Sequence, residues 1–341
     1  MSNQVEILEG LSLQNIPFDT LFEGNQPVLL KGLVNDWPLV KAGHSGGRQA
    51  VIDSLVENDS KEPFLVYNGA NAIDAKFGYN AACTGFNYTS HRSNFEQVIA
   101  HILSQIDQKE HDYLYVNSLR LAQGFPTLAA EHTLHFDHAE FAGNKPVAKI
   151  WLGTESVAAA HFDLPRNIAC CVHGKRRFTL FEPSQIENLY PGPLSPTPGG
   201  QVITMADLAN PNYEKFPRLK HALDEAYIVD MEPGDALYYP SMWWHQVQAF
   251  DRFNVMINFW WMNSPAFMGN PMDVLSHGML SLRDRPESEK QAWKVLFDYY
   301  IFGDSKKVVA HLPEECQGPL AEIDFNLARR LRSDLLNKLN R

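Results

Sequence analysis

Cysteine is scarce in this chain, basic residues are outnumbered, and no long apolar run occurs. The four cysteines among 341 residues, Cys83, Cys170, Cys171 and Cys316, have no metal-knuckle spacing. The adjacent pair would point to opposite faces of a strand, so all four read as reduced, partly buried thiols. Against 40 acidic residues stand 29 Lys and Arg, a net charge of −11. That balance favours solubility and works against nonspecific attraction to nucleic acid or an anionic membrane. No apolar stretch approaches the ~20 residues needed to span a bilayer. The start, Met1-Ser2-Asn3-Gln4-Val5-Glu6, lacks the basic flank and apolar core of a signal peptide. The expectation is a cytoplasmic protein with no membrane or nucleic-acid partner.

What is present is an ordinary globular composition, 45% hydrophobic and 20% charged, enough for one large domain with an appendage or two modest ones. Residues 27–33 look like a buried strand entering a turn, residues 93–105 carry apolar side chains at helical spacing with Ser93 or Asn94 as cap, and residues 113–119 alternate as a strand. From Val147 the character changes. Short apolar runs at 147–152, 167–172 and 177–181 are punctuated by Gly153, Gly174 and Pro183. The pattern resumes at 226–230, 236–239, 245–249 and 254–261 after a Pro- and Gly-rich loop. Regularly spaced short strands of this kind indicate a β sandwich or barrel. Residues 287–302 and 321–339 read as amphipathic helices. The organisation predicted is a mixed α/β segment over 1–130 packing on the core, a β core over 131–265 carrying the chemistry, and a helical region over 266–341.

Within the β core, His161-Phe162-Asp163 is answered downstream by His245, which closes the run Trp243-Trp244-His245. Strand alternation puts His161 and Asp163 on one face, and an imidazole from a distant strand completes a facial set of two nitrogens and one oxygen, the donor set of non-haem Fe(II). A decoy competes with it: His135-Phe136-Asp137 repeats the triplet, and His132, His135 and His138 are spaced by three. That segment lacks strand patterning and a close third partner. An oxygenase of this type must also anchor the distal carboxylate of a keto acid, and Arg176 on the basic strand 175–177 is the candidate, with Lys175 and Arg177 turned to the other face.

Taken together, the stretches from His161 to Trp261 resemble the JmjC and cupin-like 2-oxoglutarate oxygenases. They are His161-Phe-Asp163, Asn167, Gly174 to Phe181, Leu189-Tyr-Pro191, Pro233-Gly-Asp235, Leu237 to Pro240, Trp243-Trp-His245 and Asn258-Phe-Trp260. The chain is similar to the branch that includes the asparaginyl hydroxylase of hypoxia-inducible factor and to bacterial cupin-like proteins associated with tryptophan halogenases. The resemblance implies a mainly β double-stranded β-helix (jelly roll) flanked by N-terminal α/β elements and a C-terminal helical tail that dimerises. It implies Fe(II) held by His161, Asp163 and His245, with 2-oxoglutarate as cosubstrate and dioxygen as oxidant. Asn167 and Asn258 would support the cosubstrate carboxylate near iron and Trp260 would pack close to the metal. Tyr115 and Asn117 match a Tyr-x-Gln pair that contacts cosubstrate and substrate.

Two departures stand out. Arg176 replaces a lysine and Ala158 replaces a threonine of the asparaginyl hydroxylase. Arginine keeps the charge with a wider fork, and loss of the hydroxyl removes one hydrogen bond, worth about 1 kcal/mol. Residues 191–205 contain no Lys or Arg, so basic contacts from that loop to a substrate are not expected. The predicted reaction is hydroxylation of a protein or peptide side chain. The alternatives are hydroxylation of a small molecule or amino acid derivative, and a cupin-type metal protein that does not use 2-oxoglutarate.

Overall fold

The punctuated apolar runs become strands, and their chain order makes the architecture. The computed structural model describes residues 3–340 and clusters into two units, Met1–Asn263 and Ser264–Arg341. The first unit holds β1 (Glu6–Leu8), β2 (Val28–Leu30), β3 (Phe64–Gly69), β4 (Lys76–Phe77), β5 (Thr89–Ser93), β6 (Tyr113–Arg120) and β7 (Val147–Gly153). It continues with β8 (Ser156–Phe162), β9 (Arg166–His173), β10 (Arg176–Phe181), β11 (Tyr227–Met231), β12 (Ala236–Tyr239), β13 (Trp244–Ala249) and β14 (Asn254–Trp261). A nine-stranded sheet runs β1-β2-β12-β9-β14-β7-β6-β3-β5 and a five-stranded sheet runs β11-β10-β13-β8-β4. From β7 onward the chain passes back and forth between the sheets, which is the winding of a double-stranded β-helix. The mainly β jelly roll is thus the observed fold.

Strands from both sides of residue 130 share the larger sheet, because β6 pairs with β7 and β2 pairs with β12. One hydrophobic cluster lies between the sheets and includes Ala169, Cys171, Phe178, Leu180, Leu237, Tyr239 and Met256. A second joins Val66, Val116, Ile150, Ile168 and Ile257 of the larger sheet to the apolar faces of the helices Pro38–Glu57 and Phe95–Gln105. Each fully buried side chain of this kind is worth about 1.5–3 kcal/mol. The two adjacent cysteines divide between these layers, Cys170 in the outer cluster and Cys171 in the inner one. All four thiols are free, and Cys316 is exposed, against the expectation of partial burial.

Helix ends follow their caps. Phe95–Gln105 starts after Asn94, whose side chain accepts from the Gln97 N–H at 2.9 Å, while Ser93 closes β5. In the second unit the helix predicted from 321 begins at Phe325, because Asp324 accepts from the Leu327 N–H at 2.7 Å. That unit also holds the helices Pro271–Ser281 and Glu287–Tyr300, and it exposes Leu280, Val295, Ile301 and Phe302. Among the described residues no helix is long and apolar enough to cross a membrane.

Candidate metal centre and substrate cavity

His161 lies near the end of β8 and Asp163 follows just beyond that strand, while His245 enters β13. The two strands are antiparallel neighbours with His161 directly opposite His245, and the imidazole centroids are 4.4 Å apart. Two bonds pin the turns that carry them: the Met242 N–H donates to the Asp163 carbonyl at 2.9 Å and the Ser241 hydroxyl to the Leu164 carbonyl at 2.5 Å. One donor atom from each of His161, Asp163 and His245 lies within 4.8 Å of the others.

The tautomers suit ligation. His161 Nδ1 bonds the Ala159 carbonyl at 2.8 Å and His245 Nδ1 bonds the Trp243 carbonyl at 2.9 Å. A carbonyl can only accept, so both Nδ1 atoms carry the proton and both Nε2 lone pairs are free for a metal. Burial, with the neighbouring His245 ring, pushes His161 down to about 4 despite the Asp163 carboxylate. Burial alone would raise Asp163, but His245, His161 and the Asn167 amide outweigh it and hold the carboxyl below its usual range. The cluster therefore presents a neutral His161 imidazole and an ionised Asp163 oxygen, with His245 Nε2 3.6 Å from Asp163 Oδ2.

Asn167 reaches Asp163 rather than the cavity: its amide donates to Asp163 Oδ2 at 3.3 Å and its carbonyl accepts from Asn258 at 3.2 Å. This makes it a positioning residue for the carboxylate. Asn167→Ala is expected to cost about 10- to 100-fold in metal affinity, the usual effect of losing an outer partner of a ligand. Titration against a competing chelator would read it, and an unchanged affinity would remove that role.

The rival histidines are occupied elsewhere. Buried His132 accepts from the Leu39 N–H at 3.1 Å and bonds the Leu128 carbonyl at 2.9 Å, which uses both ring nitrogens. His138 pairs with Asp19 at 3.0 Å and caps the Glu140 N–H. His135 is exposed.

In front of the cluster is a cavity of ≈ 1030 Å³, measured to include its open mouth. Tyr115, Asn117, Asn258 and Trp260 line it, as do all three cluster residues and Ala158. Trp260 is the one tryptophan of the four in the Trp-Trp pairs to do so; Trp243, Trp244 and Trp261 are packed into three separate hydrophobic clusters. Sequence reasoning missed Tyr67, Tyr88, Lys149 and Trp151, which also form its walls. The sequence signal for Tyr67, Lys149 and Trp151 was alternation on β3 and β7, while Tyr88, just before β5, carried none. Three tyrosine hydroxyls donate to carbonyls of one loop, Tyr67 and Tyr88 of the cavity wall to Pro198 at 3.2 and 3.3 Å, and Tyr79 outside it to Pro193 at 3.1 Å.

Arg176 opens β10 after the turn at Gly174, where φ is +77° and an added Cβ would stand 2.3 Å from Asn254 Oδ1. Its side chain is 3% exposed, its Nε has no partner, and no hydrogen bond or ion pair reaches the guanidinium among the described residues. Burial lowers its pKa from the ordinary value. Lys175 and Arg177 face outward, paired with Glu232 and Asp230. Tyr115, which lines the cavity, lies within electrostatic reach of Arg176. Four residues along β10, Leu180 pairs with His245. That spacing is about 13 Å of strand, a gap that an arginine side chain and a five-carbon diacid can share. An unpaired buried cation is costly unless an anion joins it, so the residues fit a carboxylate-bearing chelate.

A jelly roll with a His/Asp/His cluster between its sheets defines a cupin-type protein. Residues 15–267 match the family described as "Cupin-like domain", and the chain belongs to that JmjC-like family. It is 32% identical over 121 residues to the Lysine-specific demethylase JMJ31 of Arabidopsis thaliana, covering 35% of this chain and 21% of that one. It is 32% identical over 114 residues to the Jumonji C domain-containing protein 5 of Drosophila melanogaster, covering 33% and 27% respectively. The match thus spans only about a quarter of these relatives' length. With the tRNA wybutosine-synthesizing protein 5 of Mus musculus it is 27% identical over 324 residues, 90% of each chain.

Proposed function

We propose that this protein is an Fe(II)- and 2-oxoglutarate-dependent oxygenase that hydroxylates an organic substrate. The observation that carries the reading is the pairing of the preoriented His161/Asp163/His245 set with the buried Arg176, which has no hydrogen-bond or ion-pair partner among the described residues. His161, Asp163 and His245 would hold the metal, and Arg176 the distal carboxylate of the cosubstrate. When bound, the pair couples conversion of dioxygen and 2-oxoglutarate to succinate and carbon dioxide with insertion of the second oxygen atom into a substrate C–H bond. The chain's own contribution is to orient the donors, neutralise the diacid with Arg176 and exclude water with Tyr115, Trp151 and Trp260.

Of the two substrate readings, a protein or peptide side chain and a small molecule or amino acid derivative, the tyrosine-tied loop favours a group of modest size. A small molecule or one projecting side chain suits such a mouth better than a long extended segment. The relative matched end to end is named for tRNA wybutosine synthesis, but a net charge of −11 opposes a polyanionic substrate, and we propose none. A cytoplasmic setting is proposed with it.

The test is an anaerobic titration of the Fe(II)-loaded protein with 2-oxoglutarate, following the weak visible charge-transfer band of the chelate, with Asp163→Ala as control. Saturation in the wild type alone is the expected result; iron bound without a band would leave a cupin-type metal protein of other chemistry.

A second copy of the chain is the partner proposed for the C-terminal helices, where Leu280 is 79% and Phe302 75% exposed. Burying such side chains gives about 1.5–3 kcal/mol each. Leu296→Asp with Phe302→Asp is expected to convert a dimer to a monomer by light scattering. A wild-type protein already monomeric would reject the proposal.

A further inference from the structure

Lys149 is a cation without an ion-pair partner among the described residues. It lies on β7, opposite Asn258 of β14 and Arg120 of β6, and lines the cavity with part of its side chain buried. Its ammonium donates to the Ser118 hydroxyl at 2.6 Å and lies 4.0 Å from the centroid of the Trp260 ring. No ion pair includes it among the described residues, and the one carboxylate that acts on it electrostatically is Asp163 of the metal cluster. Nothing in the fold requires a lysine there: the position alternates with Ile150 of the outer core, and an apolar side chain would pack against Trp260 and Trp151 without desolvating a charge.

The backbone around its hydroxyl partner is built for the contact. Register between β6 and β7 slips between Val116 and Leu119, and Ser118 sits at φ +59°, in the left-handed region that a side chain disfavours. A bulge of this kind re-aims side chains next to functional sites. Here it turns Ser118 toward Lys149 and Asn117 toward the Tyr67 hydroxyl, 2.9 Å away. The walls beside the ammonium are aromatic. Tyr67 and Tyr88 have centroids 4.5 Å apart, Phe77 is 5.5 Å from Tyr88, and Trp151 is 5.9 Å from Trp260.

We infer that Lys149 is a specificity-determining residue: it receives a carboxylate carried by a small substrate whose aromatic or apolar body lies against Tyr67, Tyr88, Phe77 and Trp151. The assignment rests on the reading of this cavity as the substrate site. It gives the two cations of the site separate tasks, Arg176 for the cosubstrate and Lys149 for the substrate. A charge-assisted bond inside a largely apolar cavity is strong and directional, whereas an amide or an amine of the same shape would leave the ammonium unpaired or face it with like charge.

The experiment uses the full chain loaded with Mn(II) and saturating 2-oxoglutarate, which occupies Arg176 without turnover. Calorimetric titration with phenylacetate, phenylacetamide and phenethylamine is expected to give the carboxylate at least tenfold tighter binding than the amide, and the amine the weakest. Lys149→Met is expected to erase that preference and Lys149→Arg to retain it, which separates loss of charge from loss of fold. Equal binding of carboxylate and amide by the wild type, no binding of any probe, or a preference that survives in Lys149→Met would each overturn the assignment. Should 2-oxoglutarate itself fail to bind, the oxygenase reading falls, and the same three titrations in the Mn(II) protein still decide the role of Lys149.

Discussion

Alanine at His161 or His245 is expected to lower Fe(II) affinity by roughly 100- to 1000-fold, and His135→Ala to leave it unchanged. The magnitude is one ligand's share of the roughly 10–16 kcal/mol that a four-ligand protein site gives a divalent ion. Both imidazoles are preoriented by carbonyl acceptors on Nδ1, so their removal costs a donor that the site holds ready without reorganisation. His135 is exposed and has no part in the cluster. Equilibrium competition with a coloured chelator would measure all three variants on one scale. An equal loss in His135→Ala would move the metal to the 132–138 segment, although His132 and His138 already spend their ring nitrogens on backbone and Asp19.

Replacement of Arg176 by methionine should weaken 2-oxoglutarate binding without weakening the unliganded fold. The 2-oxoglutarate requirement should rise steeply, by a factor of about 30 to several thousand, since truncating one member of a buried charge pair costs on the order of 2–5 kcal/mol. Without cosubstrate, the same variant should melt at an equal or higher temperature. The wild-type guanidinium is buried with no partner among the described residues, and an apolar side chain of similar length removes that desolvation cost. A melting scan with and without 2-oxoglutarate reads both effects: the ligand should stabilise the wild type by mass action and leave Arg176→Met where it was. A variant that still responds to the ligand would transfer the anchoring role to another cation, Lys149 being the candidate that lines the cavity.

Much of the β core was legible because its information is local. Strand alternation gave His161 and Asp163 a common face, glycine and proline marked the turns, and the run Trp243-Trp244-His245 followed a turn signal. The partners of those residues are set by register between strands far apart in sequence, which no local pattern encodes. Asn167 illustrates this: its bond to Asp163 and its acceptance from Asn258 come from strand pairing that no local pattern announces. Lys149 escaped notice because one charged residue in an apolar strand looks like an ordinary outward position, and only the β6 bulge at Ser118 reveals where it points. The union of β6 with β7 was likewise hidden, since two strands read separately do not announce that they pair.

The difference in depth between the two cations has a kinetic meaning. Arg176 is almost wholly enclosed, whereas Lys149 stands in the cavity that opens to solvent. On the proposed assignment the diacid must enter through the cavity in which Lys149 holds the second reactant. Turnover should therefore follow a compulsory order, diacid first and second reactant afterwards. Premature occupancy would trap a dead-end complex, so that initial rates fall again at high concentrations of the second reactant and recover when more 2-oxoglutarate is added.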